Sequence, residues 1–339
     1  MNKKICVIPR VQGIGGMVSF LHKFTEGAAK QGVTVTQSAD EDCDALLIIG
    51  GTRDLGTILK FKKNRKKIVQ RLDGINWIYR LRPISLKHSL RSAYGNLVLA
   101  FIRRYLADEI IYQSEFSKVW WEKQYGPLNK PTTVVHNGVN LQQYSPSTTP
   151  KHPPFKLLVV EGSMGGGYES GLENAILLAN GLVERGQDLE LIVVGEVSPV
   201  LRKHWHPQIK CPVNWVGSVK REQIPEIDRQ AHLLFSADIH PACPNSVLEA
   251  LACGLPVISF DTGSLKELVG DQCGSIVDYG ANSWKLEKPN IANLVEGAEK
   301  ILANWDAYSN AAREHAQTKY GLEKMVESYC RILVGKTAI

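Results

Sequence analysis

In the stretch IHPACPNSVLEALACGLPVIS (239–259) a single carboxylate, Glu249, stands one turn inside a short helical pattern. The start of that pattern, Cys243-Pro244-Asn245-Ser246, carries no other charge. Two kinds of chemistry fit this spacing. Ser246-x-x-Glu249 has the form of a capping box, in which the two side chains reach reciprocally for orphan backbone amides. Alternatively, the free N–H groups and macrodipole of an uncharged helix start favour a phosphate. A carboxylate one turn further in then accepts hydrogen bonds from sugar or ribose hydroxyls. The spacing leaves both open. Arg71 and Asp73, in VQRLDGINW, close a β-rich run, where functional groups of α/β sheets gather. A buried Asp–Arg pair is the plain alternative there. Three turns complete the set: Gly13-Ile14-Gly15-Gly16, Gly165-Gly166-Gly167, and 244–246. Consecutive amides such as those of 165–167 form an anion-binding nest, although a flexible loop explains the glycines equally well.

The elements that must hold these residues follow from the hydrophobic pattern. The first half contains six short apolar runs: KICVIP, VTVTQS, DALLIIGG, KIVQRLDG, DEIIYQS and TTVVHNG. Helix-like segments such as 84–106 and 115–124 separate several of them. The Pro-rich stretch STTPKHPP (147–154) interrupts the pattern and predicts a domain linker. It restarts with FKLLVVEG, LELIVVG, VNWVG, HLLFSA, LPVISF and GSIVDYG, and ends in about thirty residues of helical composition. Near-continuous apolar strands between helices indicate parallel sheets covered on both faces. The expectation is an α/β chain of two doubly wound domains in tandem, with ligands outside the carboxyl ends of the strands. In segment 84–106 the spacing of Leu86, Leu90, Leu97 and Phe101 reads as a core face. An interfacial membrane helix flanked by Lys87, Arg91, Arg103 and Arg104 is the alternative.

At 339 residues and 44% apolar content, the chain is long enough for two cores. No apolar run approaches a membrane span, and the short apolar start after MNKK does not make a signal peptide. Seven scattered cysteines, without Cys-x-x-Cys or zinc spacing, read as core residues of a reducing compartment. A cytoplasmic protein is therefore expected. Residues 1–150 hold 22 Lys+Arg against 11 Asp+Glu, whereas 151–339 hold 18 against 23. This asymmetry, with the Lys60-to-Lys67 run KFKKNRKK, fits a solvated face or a contact with anionic lipid or an acidic acceptor. Nothing interleaves aromatic and basic residues as nucleic-acid binding requires. A nicotinamide enzyme is disfavoured: GIGG lacks the third spaced glycine, and no acid closes VTVTQS.

PNSVLEALACGLPVIS followed by DTGSLKELVGDQCGSIV resembles the donor-site signature of glycosyltransferase family 4, retaining enzymes of the GT-B fold. VVHNGVNLQQYSP, EIIYQSEFSKVWWEKQYG and GIGG are similar to further segments of that family, in the same order along nearly the whole chain. The resemblance implies two Rossmann-like domains facing a cleft. Residues 1–150 would form the acceptor-side domain and 151–310 the nucleotide-sugar donor domain. Residues 311–339 would supply a helix crossing back onto the first domain.

The resemblance also implies roles. Glu249 would hold the donor ribose and the amides of Asn245, Ser246 and Val247 would face the diphosphate. Gly15 and Gly16 would approach that phosphate, as would Gly162, Ser163, Gly165, Gly166 and Gly167. Val216, Gly217 and Val219 would line the nucleobase. Asp73 and Glu249 are the expected catalytic residues, with Arg71 and Asp73 on the acceptor side. In a retaining transfer the leaving diphosphate itself can accept the acceptor's proton, so Asp73 would orient a hydroxyl rather than attack. The donor would be a UDP- or GDP-linked sugar, with no metal required. The acceptor would be a saccharide or a lipid-linked molecule in polysaccharide or glycolipid synthesis, reached with peripheral contact at the inner membrane face. Three departures count against the pattern: Pro241 stands where the family has a second Glu, and Ser163 and Ser170 where it has Arg and Lys. Asp238 or His240 could substitute for the missing acid. A catalytically inactive nucleotide-sugar-binding subunit is the alternative function.

Overall fold

The computed structural model describes residues 3–13, 15–81, 85–147, 153–165 and 169–335. All twelve apolar runs are strands, six in each of two fully parallel sheets. The chain divides into two units, Met1–Gly138 with Tyr320–Ile339, and Val139–Lys319.

In the first unit, β1 (Lys3–Ile8), α1 (Gly16–Lys30), β2 (Val33–Thr36), β3 (Ala45–Ile49), α2 (Leu55–Lys63) and β4 (Lys67–Leu72) come first. They are followed by α3 (Leu86–Phe101), β5 (Glu109–Tyr112), α4 (Glu115–Tyr125) and β6 (Thr132–Val134). The sheet order β2-β1-β3-β4-β5-β6 reverses direction between β1 and β3. Strand β3 is wholly buried, as a parallel strand covered on both faces must be.

The second unit contains β7 (Phe155–Ser163), α5 (Glu169–Glu184), β8 (Leu189–Glu196), α6 (Pro199–Trp205), β9 (Val213–Gly217), α7 (Ile224–Gln230) and β10 (Leu233–Phe235). It continues with α8 (Asn245–Ala252), β11 (Val257–Phe260), α9 (Leu265–Val269), β12 (Gly274–Val277), α10 (Ile291–Ala303) and α11 (Trp305–Lys319). Its sheet order β12-β11-β10-β7-β8-β9 reverses direction between β7 and β10. Gly181 of α5 packs so closely on α10 that a Cβ there would lie 2.5 Å from Val295.

The final helix, α12 (Leu322–Val334), belongs to the first unit. Met325, Val326, Tyr329, Cys330 and Leu333 recur at helical spacing and bury one stripe against α1, where Phe20, Phe24 and Tyr329 form an aromatic cluster. Gly27 allows the contact: a Cβ there would meet Val326 at 2.5 Å.

The unit boundaries differ from the sequence expectation of 150/151 and 310/311. The chain leaves the first unit at Gly138, which is pressed against Leu322 and Met325. The next nine residues are held by the second unit. Arg313 of α11 donates to the carbonyls of Tyr144, Ala252 and Leu141 (2.8, 2.6 and 3.1 Å), and Tyr144 is buried there. Residues 311–319 stay with the second unit because α11 packs on α8, with Ser309 donating to the Gly254 carbonyl at 2.6 Å. Of the Pro-rich stretch 147–154, residues 148–152 lie outside the described residues.

Two other expectations are overturned. Leu86, Leu90, Leu97 and Phe101 are not core: they are 78, 63, 62 and 45% exposed. The face of α3 that packs inward carries Val98, Leu99 and Ala100, with Leu99 lying over Gly51. Apolar residues occupy both faces of this helix, so periodicity alone could not choose between them. Arg103, expected beside the exposed basic residues, is buried and bonds to Tyr112 Oη (2.8 Å) and the Gly126 carbonyl (2.9 Å). The 60–67 run is tied down internally. Lys60 and Lys62 bond to the carbonyls of Ala39 and Tyr105, and Lys66 and Lys67 pair with Asp42 and Glu109. Among the described residues no helix is long and apolar enough to cross a membrane.

Candidate functional site

The reversal of strand order at β7/β10 is where an open α/β sheet offers its crevice. Residue Leu234 of β10 pairs in register with Leu158 of β7, so the segments that follow these strands emerge side by side. Strand β7 ends in Gly162 and Ser163, both exposed, and half-buried Gly165 follows it. After β10 the chain runs through 236–244 into α8, which carries Asn245, Ser246, Val247 and Glu249. The N-terminal turn of α5 closes on the same loop, with Gly171 so near that a Cβ would lie 3.0 Å from that of Ala237. Gly166 and Gly167 lie outside the described residues. Val216 and Gly217 end β9, two strands away from β7, and Val219 follows it. Gly217 has φ +78°, with open space around it.

The N-cap of α8 is Pro244, and no side chain caps the helix. The capping-box reading is thereby excluded, because Ser246 already lies inside the helix. Asn245, Ser246 and Val247 form the first turn, whose N–H groups have no intrahelical acceptor. The first turn holds no acid. Glu249 lies in the following turn and is 7% exposed. The helix is held from behind by Arg313 and Ser309 of α11. Tyr144, missed in the sequence, approaches from the same side. Burial, and secondarily the Glu249 carboxylate, push its phenol pKa upward, and its hydroxyl has no hydrogen-bond partner among the described residues. The start of α5 is a poorer anion seat than expected, because Glu169 places a carboxylate in its first turn.

A second acid group stands at the switch point. Glu161, near the end of β7, and Asp238, just beyond β10, are both half-buried. Burial, reinforced by the Asp238 charge, raises Glu161 from 4.5 to about 8. Burial also raises Asp238 from 3.8 to about 6, against the lowering effect of its hydrogen bond with the Ile239 backbone. Neutral pH lies between these two values, which favours a protonated Glu161 near an ionised Asp238. Asp238 was legible as a substitute acid. Glu161 was missed, although an acid closing an apolar strand was a visible signal. His240 is packed as a structural residue. It adopts φ +58°, is buried, and stacks on Trp284 at 3.6 Å; desolvation lowers its pKa to about 4, leaving it neutral.

The raised Glu161 pKa fixes a sign. The folded state keeps a proton that the unfolded chain releases near 4.5, so this stabilisation is complete below that pH and is lost as pH rises through about 8. Glu161→Gln is expected to melt above the wild type at pH 9 and with it at pH 4, in thermal denaturation followed by circular dichroism. A constant difference across that range would rule out the titration.

In the first unit, Gly15 (φ +145°) is the uncapped N-cap of α1, and a Cβ at Gly13, Gly15 or Gly16 would meet nothing within 4 Å. Ile14 lies outside the described residues. Arg71 ends β4 almost completely buried, with its guanidinium 4.1 Å over the Phe20 ring and Nη2 donating to Asn137 Oδ1 at 2.8 Å. Its Nε has no partner among the described residues. Asp73 follows on the same edge. Its backbone carbonyl accepts from Ser117 Oγ (2.9 Å) and Trp121 Nε1 (2.8 Å), and burial raises its carboxyl pKa against the opposing charge of Arg71. The Arg71–Asp73 edge and the Gly15–Gly16 turn thus follow β4 and β1 of one sheet. Among the described residues, no group of three or more His, Cys, Asp or Glu is placed to hold a metal ion.

Residues 166–319 match the family model for glycosyl transferases group 1. A human relative, one subunit of a phosphatidylinositol N-acetylglucosaminyltransferase, is 22% identical over 175 residues, half of this chain and 33% of its own length. The chain thus spans about a third of that relative. Two solved structures superpose over nearly the whole chain. Sucrose-phosphate synthase from Thermosynechococcus elongatus gives a TM-score of 0.72 at 13% identity, covering 97% of this chain and 98% of its own. Anabaena HepE, solved in complex with UDP-glucose, gives 0.67 at 16% identity, covering 98 and 100%. The chain has the GT-B fold, and its second unit carries a glycosyl transferases group 1 segment.

Proposed function

We propose that this chain is a retaining glycosyltransferase that binds a nucleoside diphosphate sugar at the β7/β10 switch point. One observation carries the reading: an uncapped, acid-free helix start at α8, with a buried carboxylate, Glu249, in the turn behind it. The amides of Asn245, Ser246 and Val247 would take the diphosphate, and Glu249 the ribose hydroxyls. The 162–167 turn would contribute backbone amides in place of the absent Arg and Lys. Val216, Gly217 and Val219 would border the base. The UDP-glucose complex of a structure with this fold supports a UDP-linked donor, with a GDP-linked one second. Glu161, whose pKa is raised to about 8, and Asp238, raised to about 6, would offer sugar hydroxyls a donor and an acceptor.

The first unit would supply the acceptor side. Asp73, its carboxyl pKa raised by burial, would orient an acceptor hydroxyl, and Arg71 would steady charge nearby. The departing diphosphate would take the hydroxyl proton, so neither a dedicated base nor a metal enters the proposal. The acceptor is a saccharide or a lipid-linked molecule, approached by a peripheral protein on the cytoplasmic membrane face. The human relative named as a phosphatidylinositol N-acetylglucosaminyltransferase subunit and the basic balance of residues 1–150 favour the lipid-linked case.

Pro241, Ser163 and Ser170 favour a second reading, a binding subunit without turnover. A thermal-shift series with UDP, GDP and their glucose, N-acetylglucosamine and mannose conjugates tests the donor site. A ligand at 100 times its Kd stabilises by about 2.7 kcal/mol, a rise of several degrees in Tm. Release of free nucleotide from the stabilising donor supports the enzyme, and binding without release supports the subunit. No shift with any ligand would remove the donor site altogether.

A further inference from the structure

The stripe along α3 does not belong to the core. Leu86, Leu90, Tyr94, Leu97, Phe101 and Tyr105 follow one another at intervals of three and four residues, and each is at least 45% exposed. From Leu86 to Tyr105 the row runs about 28 Å at 1.5 Å per residue. Helix α2 runs beside it. The Arg53 guanidinium, just before α2, lies 5.4 Å over the Tyr94 ring, and Lys62 near its end donates to the Tyr105 carbonyl at 3.0 Å. Between these two contacts α2 exposes Leu55 and Leu59. Isolated exposed leucines are ordinary, but a row of six exposed apolar residues along one helical face, with Leu55 and Leu59 exposed on α2, marks an interaction surface.

The charge around this face names its partner. From Gly74 to Ala107 the sequence has six Lys or Arg and no Asp or Glu. Lys87, Arg91 and Arg104 are exposed beside the stripe, as is Lys63 on α2. Asp54, the neighbouring acid, is occupied in capping α2 through Thr57. Leucines and aromatic rings bordered mainly by cations, with Asp54 and Asp108 engaged by backbone amides, suit the boundary between acyl chains and anionic headgroups.

We propose that the exposed α2–α3 face of the first unit docks on an anionic lipid surface. This centres the membrane contact on α3, and leaves out Lys60, Lys62, Lys66 and Lys67 of the 60–67 run, which have internal partners. It rests on the lipid-linked acceptor reading only for its purpose. The test uses neither donor nor acceptor, so its failure leaves the donor site untouched.

The experiment is co-sedimentation of the full chain with vesicles of phosphatidylcholine, with or without phosphatidylglycerol. Binding to the anionic vesicles should be at least tenfold stronger than to the neutral ones and should weaken with salt. The double variant Leu90→Glu, Leu97→Glu should lose at least tenfold. Lys87→Gln with Arg91→Gln should lose about fivefold per residue. All four positions are exposed, and an unchanged Tm confirms that the variants fold. No binding by the wild type, or full binding by the leucine variant, would overturn the proposal. So would a dimer in light scattering that the leucine variant dissociates, which would assign the face to a second copy.

Discussion

Glu249→Ala is expected to weaken nucleotide-sugar binding by about 1–3 kcal/mol, roughly five- to 150-fold, the cost of leaving buried hydroxyl partners unpaired. The structure sharpens this expectation by removing the competing explanation. If Ser246 and Glu249 were a capping box, each alanine variant would cost the free protein about 0.5–2 kcal/mol. Pro244 is the N-cap and Ser246 stands inside the helix, so the apo protein should lose little from the Ser246 change. Ser246→Ala keeps the backbone amide proposed to face the phosphate and is expected to hold stability within about 0.5 kcal/mol. Isothermal titration gives the donor affinity and urea denaturation the stability. A Glu249→Ala variant with normal affinity and a lower urea midpoint would assign the carboxylate to structure alone. Adding GDP- and UDP-sugars in the same titrations also separates the two bases.

Gly195→Ala is expected to destabilise the second unit by at least about 3 kcal/mol, the scale of backbone strain compounded by a steric clash. Gly195 has φ +130°, and a Cβ there would fall inside contact distance of the Glu161 carbonyl oxygen. Both sides of the contact are backbone, so no rotamer can relieve it. The close approach accompanies the register shift between Val160 and Ser163 where β7 runs along β8. The same stretch of β7 carries Glu161 at the switch point. Gly186→Ala is the control: φ is +86° with nothing within 4 Å, so only the left-handed backbone cost of about 1–2 kcal/mol should appear. Urea midpoints of the two variants should therefore differ clearly. Equal midpoints would mean that β8 moves aside and that the clash is not fixed by the sheet.

Much of this molecule was legible in its sequence, because the relevant signals are local. Twelve apolar runs, bounded by turn residues and separated by helical patterns, specify parallel strands wherever they pair. The PNSVLEALACGLPVIS stretch carried both the short helix and its lone acid. What sequence could not decide were choices between locally equivalent options. The period of α3 is compatible with either face turned inward, and only the fit of Leu99 over Gly51 exposes Leu86, Leu90, Leu97 and Phe101. Ser246 and Glu249 have capping-box spacing, yet the helix begins earlier because Pro244 takes the N-cap. The crossing between units moved from the Pro-rich stretch to Gly138 because Arg313, far along the chain, claims the carbonyls of Leu141 and Tyr144. Glu161 and Asp238 are ordinary acids in sequence. Strand order makes β7 and β10 neighbours, and only that adjacency lets the Asp238 charge add to burial in raising the Glu161 pKa. Hydrophobic pattern thus determined the elements, whereas the pairing of distant strands and the packing of individual side chains decided the site's electrostatics.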